Sequence, residues 1–381
     1  MRTRVGLVAV ALVAVGLLAS ACSAGDSSAP VVVDDTTAPT TVTTLDAAPA
    51  TAAPATAAPQ CARDGLPKTV AYDTIDGVDP NLLSIDIHAP AGACGAPVVR
   101  WVHGGGYRIG DKAQQVSDKA QQVSDKAQQV SDKAQQVSDK AQQVSDKAQQ
   151  VSDKAQQVSD KVTLFNDKGW ILVSVNSRLT EQDNPESANF PDHFDDVASA
   201  VAWGHDNIGA YGGDPSRIAL LGHSAGADIV SNVTTNPTYL AAHGLGLDSV
   251  VCAGPLDTEG FDKVTAAASD PDSEKEQWQA ALGENPNYLT ETSAILLVKP
   301  GIGIPPTIGV VRGSPQRQTI ETAYLATLEA AGVATVSIDA RSIGHSQVNT
   351  QIGAAGDTVM TAPVVAFLTD CFNPVVPKVV P

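Results

Sequence analysis

The sequence predicts an α/β fold with a mostly parallel central sheet and helices on both faces. Three observations carry this expectation. Short apolar, β-branched runs recur along the chain, longer stretches of helical period separate most of them, and only the first two runs lie close enough to pair through a turn. The expected parallel strands are "PVVRWVH", "WILVSVN", "RIALLGHS", "SVVCAG", "PPTIGVV" and "ATVSIDA". Between them "HFDDVASAVAWGHDNI", "GADIVSNVTT" and "TIETAYLATLEAAG" have the helical period, and right-handed crossovers of this kind leave successive strands parallel.

Ahead of these, "TVAYDTI" and "LLSIDIH" flank the turn-like "DGVDPN" and are expected as an antiparallel hairpin at the sheet edge. Cys61 and Cys94 are almost equidistant in sequence from the hairpin centre near Gly77, so they face each other at its open end and form the favoured disulfide pair. Cys252 lies in an apolar run, where a buried free thiol is one reading, and the pairing of Cys252 and Cys371 stays open. Between Asp257 and Lys299 the pattern loosens into a polar, Glu-rich insertion, long enough for a small cap over the strand ends.

The first residues, "MRTRVGLVAVALVAVGLLASAC", place two arginines before an apolar run and small residues before Cys22. Residues 1–21 are expected to be an export signal. "LLASAC" resembles a bacterial lipobox, with Ala19 where leucine is commoner, which implies a lipid-modified Cys22; ordinary cleavage after Ala19-Ser20-Ala21 is the alternative. Residues 22–60 are rich in Ala, Thr and Pro, lack aromatics, and are expected as a disordered tether. The domain expected from 61 to 381 is interrupted by seven copies of DKAQQVS at 111–159. Without the tether and six surplus copies roughly 280 residues remain, the size of one α/β domain.

Within each repeat Ala and Val recur at spacings of three and four, so each copy is a helical heptad. One continuous helix through six extra copies adds about 63 Å. The chain from Val162 to Gly169 spans at most about 29 Å on its way back to the next strand. The block is therefore expected as a helical hairpin, a broken helix or a projection that interrupts the domain, with a protein-binding arm as its alternative use.

The net charge of −18 contains no basic stripe to track phosphates, which argues against nucleic acid as a partner. Membrane attachment is expected through Cys22 alone. No Cys/His spacing suggests zinc and no Gly-rich phosphate loop appears, so no cofactor or metal is expected.

"IALLGHSAGAD" places Gly222-His223-Ser224-Ala225-Gly226 between an expected strand and an expected helix. A sharp strand-to-helix turn leaves no room for larger residues than its glycines and presents the serine hydroxyl at a helix N-terminus. Upstream, "WVHGGGYRIGD" sets His103-Gly104-Gly105-Gly106 at the end of another strand. Backbone N–H groups of Gly105, Gly106 and Ala225 are the candidate donors to a tetrahedral oxyanion. Of seven histidines only His345 follows the last expected strand, where a loop carries it back over Ser224 as the general base.

These motifs, with "VNSRL", "GGDPSRIALLGHSAGA" and "LDTEGFD", resemble the α/β-hydrolase family, specifically HGGG/GxSxG serine esterases of the hormone-sensitive-lipase-like, feruloyl-esterase or kynurenine-formamidase-like kind. The resemblance covers about Lys68 to Phe372 apart from the repeats. It implies a carboxylesterase acting on small esters through an acyl-enzyme. An amidase or arylformamidase with the same site is the near alternative, and a non-catalytic surface lipoprotein that binds through the repeat arm is the distant one. Ser177 stands where the family more often has tyrosine. The family's acid usually follows the strand "PPTIGVV", but "RGSPQRQ" contains no Asp or Glu. Asp257, after the preceding strand, is the first choice for that role, Asp339 is the second, and a Ser–His dyad is the third possibility.

Overall fold

Eight strands form one sheet in the order β1-β2-β4-β3-β5-β6-β7-β8. A computed structural model of the chain describes residues 61–62, 68–113, 160–181, 184, 186–269, 278–279, 281–283 and 287–373, all within the unit Ala57–Pro381. The expected signal peptide, Cys22 and the tether lie outside the described residues, as does the repeat block beyond Asp111–Ala113.

The hairpin expected at the edge is β1 (Lys68–Ala71) and β2 (Ser84–His88), antiparallel to each other, with β2 also antiparallel to β4 (Ile171–Val175). From there the sheet is parallel: β3 (Ala96–Val102) lies between β4 and β5 (Gly213–His223), and β6 (Cys252–Leu256), β7 (Thr307–Val311) and β8 (Thr335–Asp339) follow. Cys61 and Cys94 are disulfide-bonded, Cα atoms 4.2 Å apart, while Cys252 and Cys371 are free.

Burial explains why the central strands read as unbroken apolar runs. Every residue of β4 and β6 is buried, as a sheet covered on both faces requires. The side chains alternate between two layers: Val99, Trp101, Ala219 and Leu221 join Phe165, Val364, Phe367 and Leu368, whereas Val102 and Leu220 join Phe194, Val197, Ile229 and Val233. Two helices supply most of the second layer, α1 (Asp192–Asn207) and α2 (Ala225–Thr235). Beyond β7, α3 (Pro315–Ala330) crosses to β8, and α4 (Thr361–Phe372) closes the first layer. Among the described residues no helix is long and apolar enough to cross a membrane.

Arg100 interrupts the apolar run of β3 yet is fully buried. Its Nη1 donates to the carbonyl of Ala200 in α1, and Gly204, one turn on, leaves the space: a Cβ there lies 1.5 Å from Arg100 Nη2.

An Asp–Lys dipeptide stands at each border of the repeat block: Asp111-Lys112 opens the first copy, and Asp160-Lys161 follows the seventh. At the first, Asp111 accepts hydrogen bonds from Asn81 (2.9 Å) and Asn176 (3.1 Å), the buried Lys112 donates through Nζ to Asn81 Oδ1, and Ser174 donates to the Lys112 carbonyl at 2.7 Å. At the second, Lys161 is buried, donates to the Asn349 carbonyl at 2.6 Å and sits 4.9 Å from the centroid of the Trp101 ring. Residues 160–167 are helical from there.

Candidate active site

The turn from β5 into α2 is tight enough to exclude side chains at both of its glycines. A Cβ on Gly222 falls 2.4 Å from the Gly226 carbonyl oxygen, and one on Gly226 falls 2.3 Å from Val102 O and 2.4 Å from His103 O. These are backbone atoms and have no rotamer to move aside. Gly226→Ala is expected to lower stability by about 3 kcal/mol, at the upper end of overpacking costs; the urea unfolding midpoint at constant m-value measures it. Between the glycines Ser224 is held at φ 58°, ψ −120°, a conformation an L-residue keeps only when its surroundings dictate it.

Three polar side chains from distant segments meet there. Ser224 Oγ lies 3.0 Å from His345 Nε2, and His345 Nδ1 lies 2.6 Å from Asp257 Oδ2. A carboxylate only accepts, so Nδ1 carries the proton and Nε2 is left to accept from the serine hydroxyl. Asp257, the first residue after β6, is fully buried, whereas the His345 side chain is 41% exposed and open to an incoming molecule. Burial alone raises the Asp257 carboxyl; the His345 hydrogen bond and the charges of Arg317 and Arg312 outweigh it and hold the group well below the usual carboxylate range.

The segment His103–Gly106 is packed against Ser224. A Cβ on Gly104 lies 2.9 Å from both Ser224 Cβ and His223 O, so this position admits glycine alone. Gly105 (φ 111°), Gly106 (φ 58°) and Tyr107 (φ 65°) follow in left-handed backbone, and Ala225 is the first residue of α2, where the N–H has no intrahelical acceptor. The Tyr107 hydroxyl donates to Asp228 Oδ2 in α2. Asp228 Oδ1 in turn accepts from Lys263 Nζ (2.7 Å) and Asn232 Nδ2 (3.0 Å), and Lys263 also donates to the carbonyl of Thr292 at 2.6 Å. One buried carboxylate thus joins the segment after β3, helix α2 and the insertion after β6.

Asp339, the second choice for the acid, is not at the histidine: it is exposed and bonded to Arg341 Nε at 2.8 Å. Two participants had no role in the sequence reading. His223 is buried, its ring centroid 4.5 Å from that of His345, and its Nε2 donates to the His345 carbonyl at 3.0 Å. Burial, followed by the nearby His345, lowers the His223 pKa to about 3, so it serves as a neutral donor to the loop that carries His345. Glu321, in α3, is buried with Oε2 accepting the Arg312 N–H at 2.9 Å, and burial pushes its carboxyl up to about 9.

That shift has a sign in stability. A carboxyl whose folded pKa is raised stabilises fully below its unfolded pKa, near 4.5, and loses that contribution as pH rises toward about 9. Glu321→Gln is therefore expected to gain thermal stability relative to the wild type as pH climbs from 5 to 9; melting both proteins across that range checks it.

Among the described residues His223, Asp257 and His345 offer ligand atoms within 4.8 Å of one another. Two guanidiniums already occupy the Asp257 carboxylate, and His223 Nε2 is committed to a carbonyl. This donor set fits a proton relay better than a cation.

Comparison with known proteins agrees with the fold. Residues 145–308 match the family model BD-FAE. Esterase LipQ of Mycobacterium tuberculosis (strain ATCC 25618 / H37Rv) is 41% identical over 63 residues, 16% of this chain and 14% of LipQ. Esterase LipC of the same strain is 34% identical over 89 residues, 23% of this chain and 21% of LipC. The chain thus matches about a fifth or less of the length of these curated relatives. Two solved structures share the fold over most of both chains. A bacterial heroin esterase has a TM-score of 0.56 at 20% identity, covering 82% of this chain and 85% of its own. A Pyrobaculum calidifontis esterase has a TM-score of 0.52 at 17% identity, covering 76% and 80%. With the strand order, the turn at Ser224 and these likenesses in hand, the chain has the α/β-hydrolase fold.

Proposed function

We propose that the protein is a serine carboxylesterase acting on small esters. The observation that carries this reading is the unbroken chain of contacts from Ser224 through His345 to Asp257. Ser224 Oγ attacks the ester carbonyl carbon while His345 Nε2 takes its proton. The N–H groups of Gly105, Gly106 and Ala225 receive the negative charge that develops on the carbonyl oxygen. Collapse of the tetrahedral intermediate breaks the bond to the alcohol oxygen, which leaves with the proton from His345. Water, deprotonated by the same nitrogen, then releases the acid and regenerates the serine.

Relatives named as esterases support the choice of an ester over an amide, because alkoxide leaving groups ask less of the general acid. The non-catalytic alternative drew its support from the missing acid in "RGSPQRQ", and Asp257 takes up that position at His345. Attachment to the cell envelope through a lipid on Cys22, after export directed by residues 1–21, belongs to the same proposal. The Cys61–Cys94 bond accords with an oxidising compartment.

Hydrolysis of p-nitrophenyl acetate and butyrate, beside the matching anilides, tests the activity. Turnover of the esters that disappears in Ser224→Ala supports the esterase. Preference for the anilides moves the reading to an amidase, and no serine-dependent turnover of either class removes it.

A further inference from the structure

The loop in which the family's acid is missing is not vacant at the site. "RGSPQRQ" delivers two guanidiniums to the acid that stands elsewhere. Arg312 Nη1 bonds both oxygens of Asp257, at 2.9 and 2.8 Å. Arg317, on the first turn of α3, bonds Asp257 Oδ1 through Nε at 2.9 Å and Nη2 at 2.8 Å. Its remaining nitrogen, Nη1, reaches Glu259 at 3.2 Å, and Glu321 Oε1 stands 3.5 Å from its Nε. The same Arg312 Nη1 lies 3.5 Å from His345 Nδ1, so one nitrogen borders both the carboxylate and the imidazole that the carboxylate orients.

We propose that Arg312 and Arg317 are positioning residues for the reaction, clamping Asp257 from the end of β7 and the start of α3 so that its Oδ2 stays aimed at His345 Nδ1. This inference rests on the esterase reading of Ser224, His345 and Asp257.

Two features make a clamp necessary. Asp257 has φ 69°, a backbone conformation that is unfavourable for a non-glycine residue and persists only where the surroundings impose it. Its side chain is also fully buried, and a buried carboxylate without partners is strongly destabilised. The charges around it come from every neighbouring segment: Glu259 from the chain after β6, Arg312 from the end of β7, Arg317 and Glu321 from α3, and His345 from the loop after β8. Glu321, with its carboxyl pushed up to about 9 by burial, is uncharged at neutral pH. Two arginines then balance Asp257 and Glu259.

The clamp works in two directions. It fixes geometry, and its positive charge reduces what Asp257 contributes to the imidazolium formed in the transition state. Geometry is the larger of the two, because displacements of about 1 Å at a reacting group cost about 100-fold. Loss of the clamp therefore slows turnover.

The experiment uses the full chain and p-nitrophenyl butyrate. Arg312→Gln is expected to lower kcat by about 10- to 100-fold, with KM within a factor of about two because substrate binding is not what it changes. Introduced into Asp257→Asn, the same substitution is expected to alter the residual rate by less than about twofold, because its target is gone. Arg312→Lys restores one donor nitrogen and is expected to recover most of kcat. Arg317→Lys cannot serve Asp257 and Glu259 with one ammonium and is expected to stay about tenfold slow. Arg317→Lys also retains the charge, so it carries the test if Arg312→Gln does not fold. Unchanged kcat in folded Arg312→Gln or Arg317→Lys overturns the clamp, as does an Arg312→Gln loss of equal size with and without Asp257. A wild type with no Ser224-dependent hydrolysis overturns the esterase reading instead, and the clamp falls with it.

Discussion

Replacing Ser224 with alanine is expected to reduce kcat on p-nitrophenyl butyrate by about 10⁵- to 10⁶-fold, while the melting temperature rises or holds. The size follows from the removal of the covalent route. With no Oγ at 3.0 Å from His345 Nε2, only direct attack by water remains, aided by whatever the Gly105, Gly106 and Ala225 amides contribute. The stability change follows from the backbone. Ser224 sits at φ 58°, ψ −120°, and packs its Cβ under the position a Gly104 side chain would need; alanine keeps that Cβ and removes a hydroxyl whose partner is a partly exposed histidine. Stopped-flow release of p-nitrophenol, with a thermal melt of the same preparation, reads both quantities. A residual rate within tenfold of the wild type assigns the nucleophile elsewhere.

Asp257→Asn is expected to lower kcat by about 10³- to 10⁴-fold, the second-largest effect, through the tautomer of His345. An amide can present its NH₂ to Nδ1, which then accepts; Nε2 carries the proton and no longer takes one from Ser224. The substitution also removes a carboxylate that two arginines share, so a loss of stability accompanies the kinetic loss, and a thermal melt of the assayed preparation separates the two. A folded Asp257→Asn protein whose kcat stays within tenfold of the wild type argues against Asp257 as the partner of His345. Asp339→Asn, at an exposed residue bonded to Arg341, is expected to leave kcat unchanged within about twofold.

How far the molecule was legible in its sequence depended on how local each cause was. The elbow and the HGGG segment were readable because their glycines answer to clashes within one turn and its neighbouring strand. The sheet was readable because burial on both faces makes strands continuously apolar. The carboxylate partner of His345 stood among three alternatives because the residues bonded to Asp257 are a pair of arginines more than fifty residues away, in the very segment that had looked deficient. Likewise Tyr107, Asp228 and Lys263 meet through contacts 121 and 35 residues apart in the chain. Helix α4 was not among the expected elements, although Val364, Phe367, Leu368 and Phe372 keep helical spacing. Pro363 resembles a break, but in a first turn its missing N–H costs nothing.

The docked borders of the repeat block bear on its tolerance of length. The buried lysines at both borders, Lys112 of the first copy and Lys161 just after the seventh, each follow an aspartate, as in the Asp–Lys dipeptide that opens every copy. Any whole number of heptads therefore presents the same residues to the domain at both borders. Variants that differ only in copy number are expected to keep the same border contacts and the same geometry at Ser224, His345 and Asp257.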